Sequence, residues 1–129
     1  MVKLVWIAIL IVLLDQATKI LARQFLPIVN NYGASFGMLQ GQRWLFILIS
    51  IIVIGIILYY WKQKELALSF ILGGTIGNLI DRIFFGSVTD FIHIPLFAPW
   101  FNVADVANTI GGILLVWSWL HDRTIQSKE

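Results

Sequence analysis

The chain has 129 residues, of which 59% are hydrophobic and 12% charged, with a formal net charge of +2. Soluble domains average about 45–50% apolar and about 25% charged residues, and a domain this small has too much surface for its volume to hide such an excess. Lipid is therefore the expected solvent for most of the chain. With no cysteine there is neither a disulfide nor a thiol nucleophile, and the nine basic residues are too scattered for a nucleic-acid footprint.

Four apolar segments follow in chain order, each close to the roughly 20 residues a helix needs to cross a bilayer. The first covers 2–24 and is interrupted by Asp15, Gln16 and Lys19. It lacks a small-residue cleavage site and three more segments follow it, so it reads as a resident span, not a cleaved leader. A connection then carries Asn31-Tyr32-Gly33-Ala34-Ser35-Phe36-Gly37, whose glycines allow turns and close backbone approach. It reads either as a plain loop or as an extended piece able to bind a peptide by strand addition. The second span, 44–61, has no charge. The third, 66–85, holds Gly73, Gly74 and Gly77, a small-residue face for close helix packing, and then Asn78, Asp81 and Arg82. The fourth, 103–120, has Asp105 near its start and Gly111 and Gly112 in the same packing part.

None of the segments alternates like a barrel strand, and only helices or closed barrels satisfy their backbone in lipid. The expected fold is an all-α membrane protein, one domain over 1–129, with four transmembrane helices. Four spans place both termini on one side. That side carries Lys3, Lys62, Lys64, Arg123 and Lys128, against Lys19, Arg23, Arg43 and Arg82 on the other. With Lys19 and Arg82 set aside as buried beside carboxylates, the positive-inside rule makes both termini cytoplasmic. Trp44, Tyr59, Tyr60, Trp61, Trp100, Trp117 and Trp119 lie near segment ends, as an interfacial aromatic belt requires. All the embedded polar residues then fall at the extracytoplasmic leaflet.

Asp90 and Asp105 are the strongest candidates for chemistry. The connection between them is short and stiffened by Pro95 and Pro99, so it can bring both carboxylates to the membrane surface. Two close carboxylates share one proton, and such a pair suits peptide hydrolysis: one activates water, the other polarises the carbonyl. The plainer alternative is that Asp105 caps the fourth helix and Asp90 is a solvated loop residue. Asp15 and Lys19 are four apart and can pair on one helix face, or snorkel as a structural ion pair. Arg82 offers fixed donors to carbonyl or phosphate oxygens, or anchors headgroups. Asn78, four residues before it, can orient a substrate backbone or bridge helices. His93 and His121 have no partner ligands, so no metal-binding spacing exists.

Five blocks in order now make a recognisable set: Asp15-Gln16-Ala17-Thr18-Lys19, Asn31 to Gly37, Gly73 to Arg82, Val88-Thr89-Asp90-Phe91-Ile92 and Phe101-Asn102-Val103-Ala104-Asp105. Together they resemble the signature blocks of the lipoprotein signal peptidase family (signal peptidase II) across essentially the whole chain. The resemblance implies a multi-pass enzyme of the bacterial cytoplasmic (inner) membrane. It implies an aspartyl endopeptidase that cleaves diacylglyceryl-modified prolipoproteins just before the lipidated cysteine, with its active site at the extracytoplasmic face. It matches Asp90 and Asp105 to the catalytic pair, and Asp15, Lys19, Asn31, Gly33, Asn78, Arg82, Asn102 and Ala104 to supporting and substrate-contacting positions. It implies no cofactor and no metal, a small extracytoplasmic β-cradle that Asn31 to Phe36 help build, and a monomer whose partners are the lipid-modified prolipoprotein and membrane lipid, not nucleic acid. This chain departs from the family's pattern at Asn30 and Thr89, and its 90–105 connection leaves little room for a surface helix. The competing reading is a small proton- or ion-coupled transporter, for which buried Asp, Lys and Arg are equally natural; polar residues reaching both leaflets would favour it.

Overall fold

The computed structural model describes residues 2–97 and 99–126; Lys128, one of the basic residues assigned to the terminal side, lies outside them. The order of elements is α1 (Val2–Phe25), β1 (Val29–Asn31), α2 (Arg43–Tyr60), α3 (Glu65–Phe85), β2 (Val88–Asp90) and α4 (Val103–Gln126). All four helices are long and apolar enough to cross a membrane. Their outward faces carry residues such as Leu13, Ile51, Leu58, Phe84 and Ile113. A helix apolar all round needs either a large core or lipid, and a chain of this size offers no large core. The fold is therefore the expected four-helix membrane bundle.

Helix α3 is central and packs against α1, α2 and α4. Half of its span is buried, against 17–22% for the other three. Its glycines make this possible. A side chain on Gly73 would meet Ile11 of α1, and one on Gly77 would sit 2.5 Å from the Asp15 carboxylate. Gly111 admits Ile71 in the same way, whereas Gly112 faces open space and is not part of the packing seam. At the end away from the sheet, Ala8, Ile57, Trp61, Leu68 and Leu72 form the apolar core. Trp61 belongs to this core, only 2% exposed, and not to an interfacial belt as its place at a segment end suggested. The short turn Trp61–Gln63 folds it inward. There Lys64 pairs with Asp122 and donates to Ser118, tying the α2–α3 turn to α4.

At the other end, α3 stops at Gly86, whose left-handed φ of 76° needs no Cβ. Arg43 donates to the carbonyls of Arg82 and Ile83, two of the last-turn acceptors that the helix leaves open. The chain then enters β2, which pairs antiparallel with β1 in the register Val29↔Asp90, Asn30↔Thr89 and Asn31↔Val88. This two-stranded sheet is the expected cradle, but it begins two residues early and takes only Asn31 from the 31–36 stretch. The reason is local: the Gly33 N–H donates to Asn31 Oδ1 at 2.9 Å, and Phe36 and Leu39 take positive φ, so the run turns instead of extending. After β2 the chain makes a bridge between Ile92 and Phe101, with no helix among the described residues between them.

Candidate active site

The first turn of α4 sets the site. Asn102 precedes it and accepts from the Asp105 N–H at 2.9 Å, while Asp105 Oδ2 accepts from the Asn102 N–H at 3.0 Å. This reciprocal pair is a capping box with an aspartate in the third position. Asp105 therefore does cap the helix, and the cap fixes the carboxylate. Its other oxygen accepts from Asn78 Nδ2 at 3.0 Å. The same Asn102 reaches across to β2, where its Nδ2 donates to Asp90 Oδ1 at 2.8 Å. Asp90 is only 2% exposed, so it is not a solvated loop residue. One asparagine thus holds both carboxylates. Both line a cavity of about 490 Å³ walled by Asn31, Asn78, Arg82, Val88, Trp100 and the α4 residues Val106, Asn108, Thr109 and Ile110. Burial, and after it the neighbouring Asp105 charge, push the Asp90 carboxyl from 3.8 up to about 7, against the opposing pull of the Asn102 hydrogen bond.

Beneath this pair lies a second, fully buried charge cluster. Lys19 Nζ is 2.7 Å from Asp15 Oδ2 and 3.3 Å from Asp81 Oδ2, and donates to Asn78 Oδ1 at 3.0 Å. Asp15, Lys19 and Asp81 are all 0% exposed. Buried ions of this kind are tolerated only when every remaining valence is met, and here they are. Asp15 Oδ1 accepts from the Ala104 N–H at 2.9 Å, which pins the start of α4 to α1. Asp81 Oδ2 accepts from the Thr89 N–H at 2.9 Å, which pins β2 to α3. Gln16 bridges Asp81 Oδ1 and the Gly77 carbonyl, and Arg23 adds an ion pair to Asp81 at 3.5 Å. The cluster therefore sets the distance between the elements that carry Asp90 and Asp105.

The candidate catalytic and supporting residues named from the sequence are found at this end of the bundle. Asp90, Asp105, Asn78 and Asn102 form one hydrogen-bonded group. Asp15 and Lys19 form the buried pair, and Ala104 contributes its N–H. Arg82 lies over the Phe46 ring and donates to the Gly33 carbonyl at 3.3 Å, and Asn31 lines the cavity. His93 stacks on Trp100 and takes no ligand role. Arg23 and Arg43, counted in the outer-side charge balance, are both engaged: one pairs with Asp81, the other closes α3. Asp81 is as central as Asp15, and its sequence signal was its place as an ionisable residue near the end of the third span. Among the described residues, no group of three or more His, Cys, Asp or Glu side chains is placed to hold a metal ion.

The sequence model of the signal peptidase II family matches residues 7–121. The chain is 41% identical to the lipoprotein signal peptidase of Halalkalibacterium halodurans, over 95% of both chains. It is 39% identical to that of Anoxybacillus flavithermus, over 91% of this chain and 85% of the relative, and 43% identical to that of Brevibacillus brevis, over 85% and 90%. Two solved bacterial membrane enzymes share its fold. One superposes with a TM-score of 0.92 at 28% identity, covering 100% of this chain and 94% of that one; the other gives 0.85 at 30%, covering 95% of each.

Proposed function

The chain belongs to the signal peptidase II family, whose members remove signal peptides from prolipoproteins, and on that premise we propose that it does so as an aspartyl endopeptidase with Asp90 and Asp105 as the catalytic pair. The observation that carries this reading is the shared asparagine: Asn102 donates from its side chain to Asp90 and from its backbone to Asp105, so both carboxylates face one cavity. Two N–H donors, from Asn102 and Asn78, hold the Asp105 carboxylate in place. In this reading Asp105 is the base that takes a proton from water. Asp90, with its carboxyl raised to about 7, holds the other proton, polarises the scissile carbonyl and feeds the leaving amine. Asn78 and Arg82 face the peptide, while Asp15, Lys19 and Ala104 hold the geometry, and Asn31 and Gly33 shape the cavity's edge.

The substrate is a diacylglyceryl-modified precursor, cleaved just before its lipidated cysteine. Each buried methylene of an acyl chain is worth about 0.8 kcal/mol in lipid, so the anchor stays in the bilayer and the peptide rises to the carboxylates. The sheet end of the bundle is the extracytoplasmic one, both termini are cytoplasmic, and 1–129 acts as one monomeric domain. The transporter reading loses ground, because the Ala8–Ile57–Leu72 core separates the buried charges from Lys64 and Asp122. Cleavage of a diacylglyceryl precursor peptide tests the proposal. Asp90→Asn and Asp105→Asn should each abolish it with the fold intact, since an amide can neither act as the base nor share the proton. Full turnover by either variant refutes the assignment.

A further inference from the structure

Thr89 stands at the centre of β2, next to Asp90, and is buried. Along a strand, successive side chains point to opposite faces. Val88 and Asp90 line the cavity, and Thr89 turns the other way. Behind the strand it meets Arg23, from the last turn of α1, whose Nε donates to the Thr89 hydroxyl oxygen at 3.0 Å. Arg23 is itself held twice by α3: its guanidinium lies 3.5 Å from Asp81 Oδ1 and 4.2 Å from the centroid of the Phe85 ring. The Thr89 backbone is engaged as well. Its N–H donates to Asp81 Oδ2 at 2.9 Å, and its carbonyl accepts from Asn102 Nδ2 at 3.4 Å. The residue beside Asp90 is thus gripped from α1, from α3 and from the start of α4. The backbone bonds act close to the strand axis and fix where β2 lies. The side-chain bond acts off the axis, on the face opposite Asp90, and opposes the roll that would swing the carboxylate out of the cavity. A three-residue strand paired to one neighbour has little stiffness of its own against that roll.

We infer that Arg23 and Thr89 form a positioning pair: the guanidinium grips the back of β2 and sets the orientation in which Asp90 meets Asn102 and the cavity. The inference rests on the peptidase reading and adds two residues that act on the chemistry through Asp90, neither of them in the cavity wall. Asn102 holds Asp90 from the cavity side and Arg23 holds its strand from behind. Valine at position 89 would fill the same space and keep the backbone bonds, while leaving the Arg23 Nε–H without its acceptor. Serine would keep the oxygen.

The test uses the full chain in detergent and a diacylglyceryl precursor peptide. Thr89→Val should lower kcat about tenfold, as a displaced catalytic group does, and leave KM within about twofold. Thr89→Ser should recover most of the loss. In an Arg23→Leu background Thr89→Val should cost nothing further, because the partner has already gone. The pH profile separates positioning from plain loss of folded enzyme. Asp105 of α4, Lys19 of α1 and Arg82 of α3 also face Asp90 and are unchanged in the Thr89 variants. A loosened Asp90 takes up water, so in Thr89→Val the alkaline limb of kcat/KM moves to lower pH; a smaller folded fraction lowers activity alike at every pH. Wild-type kcat in Thr89→Val, a serine variant as poor as the valine, or an unmoved alkaline limb overturns the inference. If wild type cleaves no diacylglyceryl precursor, the peptidase reading fails by itself, and melting then decides the positioning pair. Asp90→Asn raises the melting temperature at pH 8 by removing a desolvated charge, and that rise should shrink in a Thr89→Val background; an undiminished rise overturns the pair.

Discussion

Replacing Asp90 by Asn should silence the enzyme and stabilise it, and the stabilisation should depend on pH. In the folded chain the Asp90 carboxyl titrates near about 7, against 3.8 for an ordinary aspartate. Between those values the unfolded chain has released the proton and the folded chain has not. The folded state then binds more protons, so its stability falls as pH rises through that window, and the full penalty stands above pH 7. Three units at 1.36 kcal/mol each set a ceiling of about 4 kcal/mol. Asn keeps an oxygen to accept from Asn102 and carries no charge to desolvate or to repel Asp105, so it recovers most of that penalty. Thermal unfolding in detergent at pH 4, 6 and 8 is the assay. The variant should match wild type at pH 4 and melt higher at pH 8, with an intermediate gap at pH 6. Under the proposed mechanism the same proton serves catalysis, so wild-type kcat/KM should fall as pH rises past about 7. A variant no more stable than wild type at pH 8, or stabilised equally at all three pH values, would show that Asp90 is not held protonated by its surroundings.

Asp15→Ala leaves Lys19 with Asp81 and Asn78 alone and orphans the Ala104 N–H. It should cost about 3–5 kcal/mol by thermal or denaturant unfolding and depress turnover through the displaced start of α4; wild-type values for both would refute the pinning role. Gly77→Ala puts a methyl 2.5 Å from Asp15 Oδ2 and should destabilise by about 1–3 kcal/mol. Gly112→Ala meets nothing within 4 Å and should be neutral or slightly stabilising, so equal losses in the two variants would contradict the packing described.

The spans were legible because lipid demands long apolar helices, and their limits fall within a few residues of the hydropathy pattern. The exception is α4, which continues through the polar residues Asp122 and Arg123 to Gln126. Helical hydrogen bonding continues after the hydrophobic run ends, so hydropathy under-reads that end. Trp61 was misplaced for a related reason: position along a span does not say which face a turn presents. The candidate pair was legible from two aspartates joined by a short proline-bearing connection, but Asp81 was not. Its partners Gln16, Lys19, Arg23 and Thr89 are contributed by α1 and β2, and no local spacing encodes a junction of three elements. Asn102 shows the same limit. Its sequence position reveals a helix cap, while its grip on Asp90 exists only once β2 has folded against α4.

On the proposed assignment, that double grip ties the catalytic pair to the first turn of a helix, which only its cap and the Asp15 contact hold. First turns fray more readily than helix interiors, because their amides lack intrahelical acceptors. When the first turn of α4 opens, Asn102 releases both carboxylates in one event, and the Asp15 contact to Ala104 goes with them. Heat, chaotropes or a thinned bilayer should therefore produce a form that is still inserted and still helical, yet inert, well before the bundle comes apart. On cooling, activity should return at the rate of closing one turn and not at the rate of reassembling four spans.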